Sequence, residues 1–449
     1  MPQLSLQSFL CFIILIGVSM SQCLADTFQV NVLNDDIDES PGDGLCLSSM
    51  NVCTLRAAVM EANALPGFDV IELPAGEIIF TLAGEGEEAA LTGDLDLTES
   101  VLLQGQGAGV TIINGNQLDR IFELPSGFNV QASLSNMTLT HGLVSTGNIN
   151  SRQGGALRIS ANSEVTLQSV HFIGNTAGYG GAVYNEGKLS GDQVQWQHNE
   201  GLGRGGALNN TGDGFEVVLT DCLFAHNSAS SGGALINSAD LGGDRGQVSL
   251  DRCTIVFNQS TNTGIVLNDT QTDMTISNAT ISNNQTSDGV LFNDGGAIFH
   301  ILNSTIINNL AGGIVEVHHT DQLIFMSNSI LAGNQGSLGV NCNLRLTSEG
   351  GNYFGDLTGC DPTLHVSDIL GDDNPNMSPL LPGPNSWHLL HWPLAGSLLI
   401  DGGLDANCQA VDLLTHNRPK DSDFDGVTRC TIGATEQSEV IFKSGQENL

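Results

Sequence analysis

Through the middle of the chain apolar and polar residues alternate, and the alternation restarts at a recurring asparagine. The closing positions are Asn175, Asn199, Asn227, Asn258, Asn284, Asn309 and Asn334, at steps of 24, 28, 31, 26, 25 and 25 residues. Three before each stand Phe172, Trp196, Phe224, Ile255, Ile281, Ile306 and Leu331. Ten before stand Val165, Leu189, Val217, Val248, Met274, Phe299 and Ile324, and eight before Leu167, Gly191, Leu219, Leu250, Ile276, Ile301 and Met326. Apolar positions two apart are strand periodicity. Like stands over like from unit to unit, so stacking rather than any single unit buries the apolar face. A second landmark is Gly-Gly-Ala-apolar, at Gly154 to Leu157, Gly180 to Val183, Gly205 to Leu208 and Gly232 to Leu235. The pattern predicts an all-β, single-stranded parallel β-helix with coils about 4.8 Å apart and an asparagine ladder at one turn. The usual hand of parallel crossovers makes it right-handed. Trp196 falls in a core column and is not a sugar platform.

The ends depart from this period. Phe9 to Val18 is an apolar run too short for a bilayer, ending near Cys23-Leu24-Ala25. It predicts a signal peptide over 1–25, an exported chain that is secreted or held at the cell surface, and no membrane span. Residues 26–75 begin with alternating Phe28, Val30 and Val32. An acidic loop follows, then a helix from Thr54 to about Ala64 with Leu55, Ala58, Val59 and Ala62 on its apolar face. Thr54 is its N-cap and Pro66-Gly67 its stop. A helix at the end of a solenoid covers the open core and blocks edge pairing. The helix therefore caps a β-helix expected over 76–375, with a separate module over 376–438 and a tail over 439–449.

Eight cysteines follow the signal segment. An even number in an exported chain predicts disulfides. Cys46–Cys53, Cys342–Cys360 and Cys408–Cys430 are local pairs. Cys222 and Cys253 both stand five before a ladder asparagine in adjacent coils; stacking brings them within disulfide range, or lets them pack as free thiols. The formal charge is −36, which excludes nucleic acid as a partner. Glycine at 55 residues and asparagine at 39 fit a fold made of tight turns.

Two segments resemble known modules. Cys53-Thr54-Leu55-Arg56-Ala57-Ala58, with Glu61-Ala62-Asn63, resembles the Cys-Ser-Leu-Arg-Glu-Ala (CSLREA) module found at the start of exported bacterial β-helix proteins. Ala57 departs from its Glu, which would complete a capping box with Thr54. Ser378-Pro379-Leu380, Gly396 to Gly403, Cys408, Arg418-Pro419 and Cys430 to Ala434 resemble the choice-of-anchor Q domain of exported bacterial proteins, without the sorting tail that often follows it. Phe172 to Asn175 and Phe224 to Asn227, with the Gly-Gly-Ala units, resemble polymorphic outer-membrane protein repeats, which occur in adhesins. The resemblance implies a pectin-lyase-like solenoid.

The candidate chemistry is sparse. Asp421, Asp423 and Asp425 alternate before Gly426, a spacing that lets one loop wrap Ca²⁺; the other reading is a solvated acidic turn. Asp35, Asp36, Asp38, Glu39 and Asp43 form a second acidic loop whose spacing fits a cation less well. His198 and His226 precede the ladder in neighbouring coils and form a candidate transition-metal pair against plain turn histidines. His318-His319, His388 and His391 have no partner in the sequence. Asp221 and Arg252 align six before the ladder and read as a surface ion pair. Between 154 and 345 the basic residues are Arg158, Lys188, Arg204, Arg245, Arg252 and Arg345, and they share no column. A lyase needs a base beside a carboxylate-bound Ca²⁺, and a hydrolase needs two placed carboxylates. The sequence therefore favours a monomeric, non-catalytic structural, adhesion or glycan-binding protein, with a polysaccharide, cell-surface glycan or protein as partner. The outward Ser, Gln, Thr and Asn positions near the ladder, among them Gln193, Gln195, Thr254 and Thr280, are its expected contact face. The alternative is a polysaccharide lyase or glycoside hydrolase.

Overall fold

The computed structural model describes residues 25–436, except 85, 145–151, 240–242, 317–322, 337–340, 344 and 385–386. The expected signal segment, His318-His319 and the tail lie outside the described residues. The chain winds as an all-β parallel solenoid of about nine turns. One wall stacks Leu95–Asp96, Phe122–Leu124, Leu157–Ile159, Val183–Asn185 and Leu208–Gly212 and continues to Gln285–Asn293 and Leu310–Glu316. A second stack, Thr176–Tyr179, Glu200–Arg204, Ser228–Ser231 and Gln259–Thr263, joins the same sheet through Gln285–Asn293. The remaining wall is a 20-stranded sheet that includes Glu164–Ile173, Glu216–Ala225 and Gly246–Val256.

The register is the one the repeat predicts. Phe172, Trp196, Phe224, Ile255, Ile281, Ile306 and Leu331 pair in line and are fully buried. The rings of Phe172, Trp196 and Phe224 stack at 5.8 and 4.4 Å. In the ladder each Asn Nδ2 donates to the Oδ1 of the next coil, from Asn175 through Asn309 to Asn334. The ladder continues from Asn334 onto Asn341 at 3.0 Å. A second, unanticipated inner column of Asn185, Asn210, Asn237, Asn268 and Asn293 runs along the other wall, with amide bonds from Asn185 to Asn210, Asn237 to Asn268 and Asn268 to Asn293.

Each coil bends at two left-handed residues. One precedes the ladder: His198, His226 and Phe257 hold φ of 56, 57 and 57°. The other lies six before it: Gln193, Asp221 and Arg252 hold 56, 49 and 52°. At the Gly-Gly-Ala bend, Gly180, Gly205 and Gly232 hold φ of 62, 68 and 64°. A Cβ on the following Gly181 or Gly206 would collide with the carbonyl oxygen of the glycine one coil on. The first glycine supplies the turn and the second the close stacking.

At the N-terminal end the helix spans Leu55–Ala64, and Thr54 accepts from the Ala57 N–H. Ala57 is fully buried, which leaves no room for the Glu of the related motif. Arg56 is also buried; it pairs with Asp35 at 2.6 Å and donates to the carbonyls of Ala90 and Gly93. Four disulfides join Cys46–Cys53, Cys222–Cys253, Cys342–Cys360 and Cys408–Cys430, with Cα separations of 5.0, 4.4, 5.2 and 5.8 Å. The open alternative at Cys222 and Cys253 resolves to a bridge between stacked partners.

From 376 to 436 the chain folds back along the 20-stranded sheet. Leu380, Trp387 and Leu389 pack on Leu223, Ala225 and Val256. Further along, Leu399 and Ile432 pack on Ile307 and Ile330. This corrects the expectation of an exposed polar contact face. Thr254 and Thr280 are fully buried, and Thr254 bonds to His388 and Ser282 to His391. Gln195, Thr254 and Thr280 thus line an internal seam, while Gln193 stays exposed.

Candidate functional site

The outer surface beside the Gly-Gly-Ala bend carries a groove instead. Arg158, Tyr184, Asn209 and Ile236 follow the four Gly-Gly-Ala-apolar units on the side of the strand away from the solenoid core, and they stack in one column with Asp96, Glu123, Leu267 and Phe292 of other coils, most of them nearly buried. Across the bend runs a facing column of Gln153, Tyr179, Arg204, Ser231 and Thr263. Two cavities of about 300 and 600 Å³ lie between the columns and share Tyr179 and Arg204. The first is lined also by Tyr184, Asn209 and Ser238, the second by Thr263, Leu267, Asp269, Asp288 and Phe292. The floor lies one residue beyond the landmark, at a position whose identity changes from coil to coil.

The groove changes character along its length. At one end Arg120 pairs with Asp94 at 2.9 Å and with Glu123, and Arg158 bridges Glu123 to Glu186. Asp94, Asp96 and Glu123 bring carboxylate oxygens within 4.8 Å of one another. Burial, reinforced by Asp94, pushes the Asp96 carboxyl up to about 8. Arg120 already stands among these acids as their counter-charge. The middle is aromatic and amide-bearing. At the far end Ile236, Leu267 and Phe292 form an apolar strip, beside Asp269, Asp288 and Asp294. Arg204 reaches Asp269 at 3.4 Å. Burial raises the Asp288 carboxyl.

The other candidates fall as follows. Asp421 and Asp423 come together with Asp401 within 4.8 Å. Burial, with Asp423 beside it, pushes the Asp401 carboxyl up to about 7. Asp425 stands apart, accepting from the Val427 N–H of its own turn. Of the second acidic loop, Asp35 is spent on Arg56 and on the N–H groups of Thr81 and Leu82, and Asp38 on those of Ser40 and Leu47. That loop is a structural tie. His198 and His226 stack at 4.9 Å with ring planes 4° apart. Ring nitrogens bind metals in the ring plane, and two parallel planes at that spacing share no such point. The pair is a stack that Phe257 continues, not a metal pair.

Asp221 and Arg252 form more than a surface pair. Arg252 makes two 2.9 Å hydrogen bonds to Asp221, and both side chains are largely buried. His388 lies 3.9 Å from Asp221. Burial alone would raise the Asp221 carboxyl, but bonds from His388 and Arg252 outweigh it and hold it at about 2. Each of the six basic residues between 154 and 345 has a carboxylate partner: Arg158 with Glu123, Lys188 with Glu216, Arg204 with Asp269, Arg245 with Asp273, Arg252 with Asp221 and Arg345 with Asp361. Arg152, beside Gln153 of the groove, has no carboxylate partner among the described residues, and its Nε is buried without a hydrogen bond.

This architecture places the protein among parallel β-helices. By sequence, no protein family and no curated protein matches the chain. Among solved structures it is similar to the A-module of the mannuronan C-5 epimerase AlgE6 of Azotobacter vinelandii, at TM-score 0.43 and 16% identity, covering 77% of this chain and 98% of that one. It is also similar to the pectate lyase Pel9A, at TM-score 0.41 and 14% identity, covering 92% of this chain and 96% of that one. Likeness at this level concerns the course of the backbone alone. Among the described residues no helix is long and apolar enough to cross a membrane.

Proposed function

We propose that the protein is a secreted or cell-surface β-helix protein that binds a neutral polysaccharide or cell-surface glycan in the groove, without turning it over. The observation that carries this reading is the pair of facing columns, with Tyr179 and Tyr184 on opposite sides of the bend and Arg204, Asn209 and Ser231 following. Aromatic faces beside amides and hydroxyls suit a ring with an apolar face and a polar rim. Coils repeat at about 4.8 Å, close to the length of one extended pyranose unit, so successive sugars meet successive coils. The acidic ends and the charge of −36 disfavour uronates. The groove's Arg158 and Arg204 each stand beside a carboxylate, which disfavours either as a lyase base.

In the same reading, residues 26–75 close one end of the solenoid in the manner of the CSLREA module. The segment from 376 acts as a choice-of-anchor-like clamp. Asp401, Asp421 and Asp423 hold Ca²⁺, a fit supported by Asp421 Oδ1, which is buried without a hydrogen-bond partner. The alternative, a lyase or hydrolase, draws on the Asp94, Asp96 and Glu123 cluster at the head of the groove.

The test passes the purified chain over a panel of neutral and acidic polysaccharides, scoring retention and the release of reducing or unsaturated ends. Retention on a neutral polymer, weakened about tenfold by Tyr184→Ala, is expected. Product formation abolished by Glu123→Gln establishes the enzyme reading instead. No retention and no product leaves the groove without a glycan and overturns both.

A further inference from the structure

A second cleft, of about 520 Å³, opens where the C-terminal segment meets the 20-stranded sheet, on a different sheet from the groove. The solenoid supplies Gln193 and Asp221, at equivalent left-handed bends of adjacent coils. The segment supplies Trp387, His388, Thr415 and His416.

The polar groups of this cleft are held from behind. Arg252 grips Asp221 at two points, which fixes the carboxylate plane. His388 Nδ1 lies 3.1 Å from Thr254 Oγ1. His416 Nδ1 lies 3.1 Å from Asp412 Oδ2, and Asp412 is fully buried. That contact sets the ring's orientation and leaves Nε2 as its other hydrogen-bonding atom. Thr415 holds φ of 66°, a region that β-branched residues rarely enter. Its N–H donates to the Asp412 carbonyl, so the turn that presents His416 is fixed by the same residue. Strained backbone of this kind collects at ligand clamps.

Charge narrows the ligand. Asp221 shares Arg252 with Asp251, and Asp412 faces His416, so the cleft disfavours an anion. What remains is an ionised acceptor, an amide and the His416 imidazole beside an indole, with His388 buried against Thr254, Asp221 and Trp387. The volume suits a small molecule. We propose that the cleft is a second binding site that takes a single neutral sugar residue, its apolar face on Trp387 and its hydroxyls shared among Gln193, Asp221 and His416. The site stands independently of the groove, and the two fail separately.

Saturation-transfer NMR on the full chain tests it, with the methyl glycosides of glucose, galactose, mannose and N-acetylglucosamine as probes. Saturable transfer to at least one, at a Kd of about 10 mM or tighter, is expected. Gln193→Ala, at an exposed position, is expected to weaken it about tenfold at unchanged melting temperature, and His416→Ala, which also removes a partner of buried Asp412, to weaken it similarly with a lower melting temperature. Tyr184→Ala in the groove is expected to leave it intact. Absence of saturable transfer to all four probes overturns the proposal. So does transfer that survives both cleft variants, and so does transfer that Tyr184→Ala removes.

Discussion

Burial sets the chemistry of Asp96. The residue is 1% exposed, and its carboxyl titrates near 8 in place of its ordinary 3.8. The folded chain therefore holds a proton there that the unfolded chain releases. This favours folding at low pH, and the advantage is lost as pH rises from about 4 to about 8, by up to about 1.4 kcal/mol per pH unit. Asp96→Asn keeps an acceptor for the Ala90 N–H and cannot ionise. Urea denaturation from pH 4 to 9 should show the wild type losing stability relative to Asp96→Asn across that window. Parallel curves would mean that Asp96 is ionised throughout. Asp221 is the opposite case, a buried acid that Arg252 and His388 keep ionised. The register of the repeat revealed its pairing with Arg252, because both residues occupy one column. It could not reveal His388, which arrives from a segment with no repeat. The acids and arginines at 94–123 precede the clear period and gave no signal.

At the scale of the coil, the ladder asparagine is the joint. Asn258 Oδ1 accepts from the N–H and Nδ2 of Asn227, while its Nδ2 donates to Phe224 O, Val256 O and Asn284 Oδ1. All of these groups lie in the interior, so Asn258→Ala leaves the buried Asn227 N–H and Phe224 carbonyl without their partner. The expected cost is about 3 kcal/mol in urea denaturation, against less than about 0.5 kcal/mol for the exposed neighbour Gln259→Ala. Equal effects would show that water replaces the amide and that the ladder is not a structural joint. This ladder was legible because it recurs at the close of every unit. The inner column from Asn185 to Asn293 recurs just as faithfully, but its residues follow the glycine landmark at a place where the neighbouring position varies from Tyr184 to Asn209 to Ile236. That variation is the groove floor. A column whose identity changes from coil to coil is invisible to a search for repeats, and it is where a solenoid has freedom to differentiate a site.

The whole molecule is a solenoid strapped along one flank. Periodicity gave the coils and their register; three cysteine pairs followed from spacing, while stacking set Cys222 beside Cys253 and left the bridge open until the structure showed it. The return of the chain over Thr254, Ser282 and Ile330 had no sequence signal, since threonine and serine look the same at a wet surface and at a buried polar seam. If the Asp401, Asp421 and Asp423 loop of the strap binds Ca²⁺, the ion stabilises the strap, and through it the solenoid wall that the strap covers. Binding to the folded state alone adds about 2.7 kcal/mol at a hundredfold excess over Kd. Thermal unfolding in Ca²⁺ is then expected as one cooperative transition, shifted to lower temperature by EDTA. Asp421→Asn should remove the Ca²⁺ response and leave the melting temperature in EDTA close to that of the wild type, because Asp421 Oδ1 makes no hydrogen bond for the variant to lose. Mg²⁺, which demands tighter octahedral geometry, should substitute poorly. Identical melting in Ca²⁺ and EDTA would make the loop a solvated acidic turn. A Ca²⁺ shift that survives Asp421→Asn would move the ion to other carboxylates, with the Asp94, Asp96 and Glu123 cluster the next to be tested.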